Sequence, residues 1–249
     1  HLDLVDIIAR LFLKALTSRH FILINANQTR LFNDEEHPLV SRRWILKHIY
    51  SDAIEQRFSL PKVQTVLLLN RQVTSSVDAS HYLTSDERLS CDPNLMPNIN
   101  DGIGLVVDAI NSGQTIAIYG DFDVDGISGA AILSETMTYI GASVITYIPH
   151  RVNEGHSLNE KAIEHLNSKN VKLIVTVDCG TTANKEVSFA NTLGINVVVT
   201  DHHIANEPMP KGVPLVNPGL LQSRYPFKHL TGAGVALKFC QALCERYGK

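Results

Sequence analysis

From residue 101 onward the chain alternates between short runs of apolar, β-branched residues and longer stretches in which apolar positions recur every three or four residues. The short runs are TIAIYG (115–120), SVITYI (143–148), KLIVTV (172–177), INVVVT (195–200) and the briefer VPLVN (213–217). The longer stretches GIGLVVDAI, ISGAAILSETMTYI, NEKAIEHLN, ANKEVSFANTL and GVALKFCQALCERY carry helical periodicity. Runs that are almost wholly apolar belong to strands covered on both faces, so the pattern predicts an α/β fold, a parallel sheet flanked by helices on both faces. Ser157 and Glu160 have capping-box spacing before KAIEHL, and Gly194 is placed to close the helix that ends at Leu193.

Upstream the rhythm is different. Leu2 to Leu16 is apolar but punctuated about once per turn by Asp3, Asp6, Arg10 and Lys14, which predicts an amphipathic helix rather than a membrane span or signal peptide. Asn33 to Pro38 reads as an acidic loop, Ser41 to Thr84 as mostly helical text that includes RRWILKHIY and VQTVLLLNRQV, and SDERLSCDPNLMPNIN as a connector. The chain opens on His1 and stops at Gly248-Lys249 just past a helix, which is expected of a piece of something longer.

With 22 Lys and Arg against 25 Asp and Glu, the net charge of -3 excludes bulk basicity, so any contact with nucleic acid must be local. The four cysteines form no CxxC pair, which argues against structural zinc and fits a reducing, cytoplasmic compartment. No apolar stretch is long enough for a membrane span.

In an open parallel sheet, ligands gather outside the carboxyl ends of the strands. TIAIYG is followed by Asp121-Phe122-Asp123-Val124-Asp125-Gly126, KLIVTV by Asp178-Cys179-Gly180, and INVVVT by Asp201-His202-His203. A single Asp after a strand is usually a cap or turn former. Three such clusters at one edge are not explained that way. Asp121, Asp123 and Asp125 would repel one another unless a cation neutralised them, and Gly126 would allow the tight bend. Mixed carboxylate and imidazole ligands favour Mn²⁺ or Mg²⁺, with Mn²⁺ preferred, and there are carboxylates enough for two ions sharing one of them. Cys179 reads as a packed residue. Glycines and hydroxyls precede helices at Gly126 to Gly129, Thr181-Thr182 and Gly232-Ala233-Gly234, and the last could cradle a phosphate or simply allow close packing. Arg151 and Lys185 are candidate backbone contacts, and no interleaving of aromatic and basic residues marks a stacking surface.

YGDFDVDGISGAAIL, VTVDCGTT, VVVTDHH and LTGAGVALKF resemble successive motifs of the DHH-family phosphoesterases, and RVNEGHSLN and PLVNPGL are closer to the RecJ type than to the family's pyrophosphatases or short-oligonucleotide phosphodiesterases. The resemblance covers about residues 41–249 and divides the chain into an unmatched segment 1–38, a helical extension and connector 39–100, and a DHH domain 101–249. It implies 5′ to 3′ exonuclease activity on single-stranded DNA in recombination and repair. Such an activity would suit a single-strand-binding protein or helicase as protein partner, though the sequence itself names none. Carried over by position, Asp123, Asp125, Asp178 and His202 would bind metal, with Asp178 bridging. Asp121 would be auxiliary, and His203 would contact a metal or the scissile phosphate. The same resemblance places a further metal-binding Asp, and a second domain, beyond Lys249, so it implies a second ion incompletely held and little processive cleavage by residues 1–249 alone. Where RecJ-type proteins have Gly-Tyr-Gly-Leu, this chain has Gly155-His156-Ser157-Leu158. The alternatives are a phosphodiesterase for short oligonucleotides or signalling nucleotides, and a non-catalytic scaffold. Intact Asp123, Asp125, Asp178 and His202 argue against the scaffold.

Overall fold

The computed structural model describes residues 58–84, 90–205 and 208–248. They fall in two compact units, His1–Ser85 and Asp86–Lys249. The expected helix at Leu2 to Leu16, the acidic loop ending at Pro38 and the stretch around Trp44 lie outside the described residues.

In the first unit, α1 (Lys62–Asn70) and α2 (Ser76–Leu83) are short helices. Ser75 caps α2 by accepting the Asp78 N–H at 3.0 Å.

The second unit runs α3 (Ile99–Asn111), β1 (Thr115–Gly120), α4 (Val124–Tyr139), β2 (Ser143–Tyr147), α5 (Glu160–Ser168), β3 (Val171–Val177), α6 (Asn184–Thr192), β4 (Asn196–Thr200), β5 (Leu215–Val216) and α7 (Gly232–Arg246). The five strands form one parallel sheet in the order β2-β1-β3-β4-β5. Side chains alternate across it with the period of the pleat. Ile116, Ile118, Leu173, Val175 and Val177 pack beneath α3, α4 and α7, and Ala117, Tyr119, Ile174, Val197 and Val199 beneath α5 and α6. Helices on both faces explain why the strands read as nearly continuous apolar runs. Only β2, at the edge, is partly exposed along its length. No helix among the described residues is long and apolar enough to cross a membrane.

Several helix starts differ from the periodic text. Helix α4 begins at Val124, upstream of the run ISGAAIL, because the Asp123 side chain accepts the N–H groups of Asp125 and Gly126 at 2.9 and 3.1 Å. Helix α7 begins at Gly232, where Thr231 Oγ1 accepts the Gly234 N–H at 3.1 Å. The capping box expected of Ser157 and Glu160 does not form. Asn159 caps α5 by accepting the Ala162 N–H at 2.8 Å, while Ser157 sits in the left-handed region with φ 68° and its carbonyl accepts the Tyr119 hydroxyl. Gly194, at φ 69°, does close α6 as expected.

From β1 the chain first moves outward to β2 and then returns past β1 to β3, so the order reverses between β1 and β3. The crevice at such a switch point opens at the carboxyl ends of those two strands.

Candidate metal centre

Register carries the site. Gly120 pairs with Val177, Val177 with Thr200, and Thr200 with Val216. The next residues along, Asp121, Asp178, Asp201 and Asn217, therefore stand side by side across the carboxyl edge. The ladder continues into them: the N–H of Asp121 donates to Val177, that of Asp178 to Thr200 and that of Asp201 to Val216, at 3.0 to 3.1 Å.

Two groups of side chains in this row have the dimensions of a cation site. In one, ligand atoms of Asp121, Asp123 and Asp178 lie within 4.8 Å of one another; in the other, those of Asp178, His202 and His203 do. Asp178 is common to both. Its side chain is 3% exposed, its backbone is held at φ 60°, and His202 Nε2 lies 3.0 Å from its Oδ1 without the alignment of a hydrogen bond. The left-handed backbone at a non-glycine residue is strain of the kind that collects at functional sites. Buried Oδ1 atoms of both Asp121 and Asp178 accept no hydrogen bond. A buried carboxylate oxygen without a donor costs free energy unless something positive meets it. With carboxylates and imidazoles as donors, and buried oxygens on two of the clustered carboxylates left without a hydrogen bond, the residues fit divalent Mn²⁺ or Mg²⁺.

Asp125 is held differently from the other carboxylates. Its Oδ2 accepts the Gly232 N–H and its Oδ1 the Ala233 N–H, both at 2.7 Å, so it docks on the amino terminus of α7. It stays near the cluster, with Oδ2 3.7 Å from His202 Nε2. The phosphate cradle expected at Gly232 and Gly234 is thus filled from within: the Gly232 N–H serves Asp125 and the Gly234 N–H serves Thr231. A Cβ on Gly232 would run into the Asp178 carboxylate, so this glycine lets α7 reach the site. Gly126 acts likewise. It lies inside α4, not at a bend, and a Cβ there would strike the Asp121 backbone.

Asp201 was not among the residues singled out as ligands, yet it organises the histidine end. Its Oδ1 accepts the backbone N–H groups of His202 at 2.7 Å and His203 at 3.2 Å and lies 2.7 Å from His203 Nδ1, while its Oδ2 accepts the Thr181 N–H at 2.9 Å. Asn217, fully buried, donates to Thr181 Oγ1 and to the His203 carbonyl and accepts from the Gly219 N–H. The available signal was position alone, since both directly follow strands.

The electrostatics follow from this placement. Burial, with Asp125 and then Asp123 nearby, pushes the Asp178 carboxyl up to about 7 against an opposing pull from His203. The bond to Asp201 raises His203 to about 9 despite some desolvation. Burial alone would lift Asp201, but the hydrogen bonds from His203 and Thr181 outweigh it and hold the carboxyl below the ordinary range. Burial likewise holds the Cys179 thiol far above its ordinary value, in keeping with a packed residue.

Arg151 lies on the β2–α5 loop, exposed, with its guanidinium 5.1 Å from the centre of the Phe122 ring. Lys185 is exposed on α6.

The model of the DHH family's N-terminal domain matches residues 115–249, more than half of the chain and all of the row just described. The single-stranded-DNA-specific exonuclease RecJ of Bacillus subtilis (strain 168) is 33% identical over 205 residues, which are 81% of this chain and 26% of that protein. RecJ of Thermus thermophilus is 37% identical over 157 residues, 61% of this chain and 22% of that protein. A crystal structure of exonuclease RecJ bound to manganese superposes with TM-score 0.56 at 36% identity, covering 61% of this chain and 39% of that one. The structure of Thermus thermophilus RecJ in complex with Mn²⁺ gives 0.55 at 28%, covering 78% and 27%. The chain spans about a quarter of the length of the curated relatives it matches. With the parallel sheet, the Asp-His-His after β4 and the family match all falling on the same residues, the chain belongs to the DHH family.

Proposed function

We propose that this chain is a metal-dependent phosphodiesterase, a hydrolase of the RecJ type that removes nucleotides from single-stranded DNA with 5′ to 3′ polarity in recombination and repair. The observation that carries the reading is the sharing of Asp178 between two cation-sized groups at the switch point of the sheet. One divalent ion, Mn²⁺ or Mg²⁺, would be held by Asp121, Asp123 and Asp178, and the other by Asp178, His202 and His203. Asp125, whose oxygens each keep a second lone pair, sits beside the latter group. When bound, such a pair of ions supplies hydroxide at neutral pH and neutralises charge on the reacting phosphate.

The remaining work falls to the chain. Asp201 fixes the His203 ring through Nδ1, which leaves Nε2 to face a metal or a phosphate oxygen. The Asn217 and Thr181 bonds keep that histidine loop from swinging away. Arg151 supplies a cation for the strand's backbone, and residues 101–249 form the phosphoesterase domain. The names of the RecJ relatives and the manganese in their solved structures support both substrate and ion. A single-strand-binding protein or helicase is a fitting protein partner, and the cytoplasm a fitting location.

Single-turnover cleavage of end-labelled single-stranded DNA, double-stranded DNA and RNA, with Mn²⁺, Mg²⁺ or chelator, tests the proposal. Single-stranded DNA should be cut only with metal, and Asp178→Ala should abolish cutting because a shared ligand is lost from both ions. Cleavage by Asp178→Ala at the wild-type rate, or cleavage in chelator, overturns it.

A further inference from the structure

Beside the metal-site carboxylates stands a group of side chains with no part in holding an ion. The Phe122 ring, between Asp121 and Asp123, packs against the His156 ring with centroids 4.6 Å apart and planes at 45°. The Arg151 guanidinium lies 5.1 Å from the centre of the same phenyl ring. His156 turns Nδ1 toward Asp121, 3.9 Å from its Oδ2, yet its side chain is 75% exposed. An imidazole with one edge on a carboxylate and its body against a phenyl ring keeps a π surface in water, directly beside the candidate ions.

The loop that presents Arg151 and His156 is anchored. Glu154 accepts the Tyr147 hydroxyl through Oε1 and the His150 N–H through Oε2 at 2.8 Å, and the Ser157 carbonyl accepts the Tyr119 hydroxyl at 2.9 Å. Tyr119 and Tyr147 stack at 5.5 Å on the sheet below. Both ends of the segment are therefore tied to β1 and β2, and its exposed groups are preorganised. Val124 at 81% and Val152 at 83% exposure extend an apolar rim from the same two segments. Aromatic faces and an arginine on a fixed loop, rimmed by apolar side chains, have the chemistry that takes a nucleobase by stacking.

We propose that His156, backed by Phe122 and with Arg151 seated on the Phe122 ring to meet the strand's backbone, forms a stacking platform for one unpaired base of the strand whose phosphate lies at the metal centre. The inference rests on the phosphodiesterase reading and adds to it a physical reason for single-strand preference: a base in a duplex has no free face to offer. Recognition is by π surface, so all four bases are accepted and a missing base is not.

Binding of oligodeoxynucleotides with non-hydrolysable phosphorothioate linkages separates this from the nuclease reading, because no turnover is needed. Single abasic sites, or single 2-aminopurines, are moved along the strand from both ends, with Mn²⁺ present. The expected result is one position at which an abasic site weakens binding about fivefold or more and 2-aminopurine fluorescence is quenched, the size of a base–aromatic stack. His156→Ala should weaken binding to the intact strand by a similar factor, and His156→Tyr should restore it where His156→Gln does not. On the strand abasic at that position, wild type and His156→Ala should bind alike. Circular dichroism of each variant excludes loss of fold as the cause. A flat abasic scan, or a His156→Ala loss that persists on the abasic strand, overturns the platform while leaving metal-dependent cleavage standing. Platform signals in a chain that cuts no strand would overturn the nuclease reading and leave the platform.

Discussion

Replacing Asp178 by Asn should stabilise the metal-free protein while removing its response to metal. In the folded chain the carboxyl is pushed up to about 7 from 3.8, with burial the first cause and the Asp125 and Asp123 carboxylates next. A raised carboxyl binds its proton more tightly when folded, so the folded state suffers as the group ionises. The penalty is absent below the unfolded value near 3.8, grows as the pH rises, and is complete above about 7. Three units at about 1.4 kcal/mol each set an upper limit of about 4 kcal/mol. The side chain is 3% exposed, so solvent screening takes little from this, but the new amide donors also need partners. A net gain of about 2–4 kcal/mol is expected at about pH 8, or roughly 5–12 °C in Tm for a domain of this size. Asn tolerates the φ of 60° at least as well as Asp, so the backbone adds no opposing strain. Thermal melts with chelator at about pH 8 and about pH 4 should show the gain at the first and less than about 1 kcal/mol at the second. With Mn²⁺ at about a hundred times its Kd the wild type should recover about 2.7 kcal/mol, and the variant almost none. A variant no more stable than wild type in chelator at about pH 8, or equal Mn²⁺ shifts in both proteins, refutes the reasoning.

The His203–Asp201 pair gives a second pH signature. His203, raised to about 9, contributes stability that is whole below about 6.5 and lost as the pH rises through about 9, whereas Asp201, held low, contributes stability above its ordinary range that is lost as the pH falls through its depressed value. Melts of the metal-free wild type should therefore lose stability on the alkaline side, and melts of His203→Gln should not share that loss; parallel curves would count against the pair. Gly232→Ala should cost about 1–3 kcal/mol and weaken Mn²⁺ binding in calorimetry, since its Cβ meets the Asp178 carboxylate. Gly104→Ala, in the interior of α3 with open space around it, should be neutral or stabilising by up to about 1 kcal/mol, and equal losses from both would remove the steric argument. Asn159→Ala should cost about 1 kcal/mol through the lost α5 cap, where Ser157→Ala costs less; the reverse order in denaturant melts would restore the capping box.

What could be read along the chain was periodicity. The helix runs and the apolar strands have signals of their own within about ten residues, so the layered parallel sheet and the edge that carries Asp121, Asp178 and the two histidines were legible. Register was not. Asp201 and Asn217 look like ordinary residues after strands until the pairing of Val177 with Thr200 and Thr200 with Val216 sets them beside Asp178 and His203. Asp125 was legible as a carboxylate near the site, but its two donors come from residues 107 and 108 positions away. Gly126 reads as a bend former and Gly232 as either a phosphate cradle or a close-packing glycine; in the fold each is small because another segment passes within contact distance, so for Gly232 the packing alternative is the one that holds. The Phe122, Arg151 and His156 group escaped for the same reason, being drawn from two loops that only the β1–β2 pairing brings together.

Repulsion among Asp121, Asp123 and Asp125 was the first argument for a cation, and the fold changes its terms. Two of the three are met by helix amino termini: Asp123 by the N–H groups opening α4, and Asp125 by those opening α7. Each terminus carries the equivalent of about half a positive charge, so these carboxylates are stabilised without any ion. What no backbone donor meets is Oδ1 of Asp121 and Oδ1 of Asp178, at the carboxyl ends of β1 and β3. At Asp178, burial and then the neighbouring Asp125 carboxylate push the carboxyl up to about 7. The case for metal therefore narrows from a crowd of like charges to two orphaned oxygens at the ends of adjacent strands, one of them on Asp178, the residue common to both groups. It also explains why α4 and α7 converge there through Gly129, whose Cβ would lie 2.6 Å from Val177 Cγ1 and 3.1 Å from Ala233 Cα. The close helix packing brings a second amino terminus to the aspartates, and leaves the uncompensated charge at the switch point, where a cation would meet it.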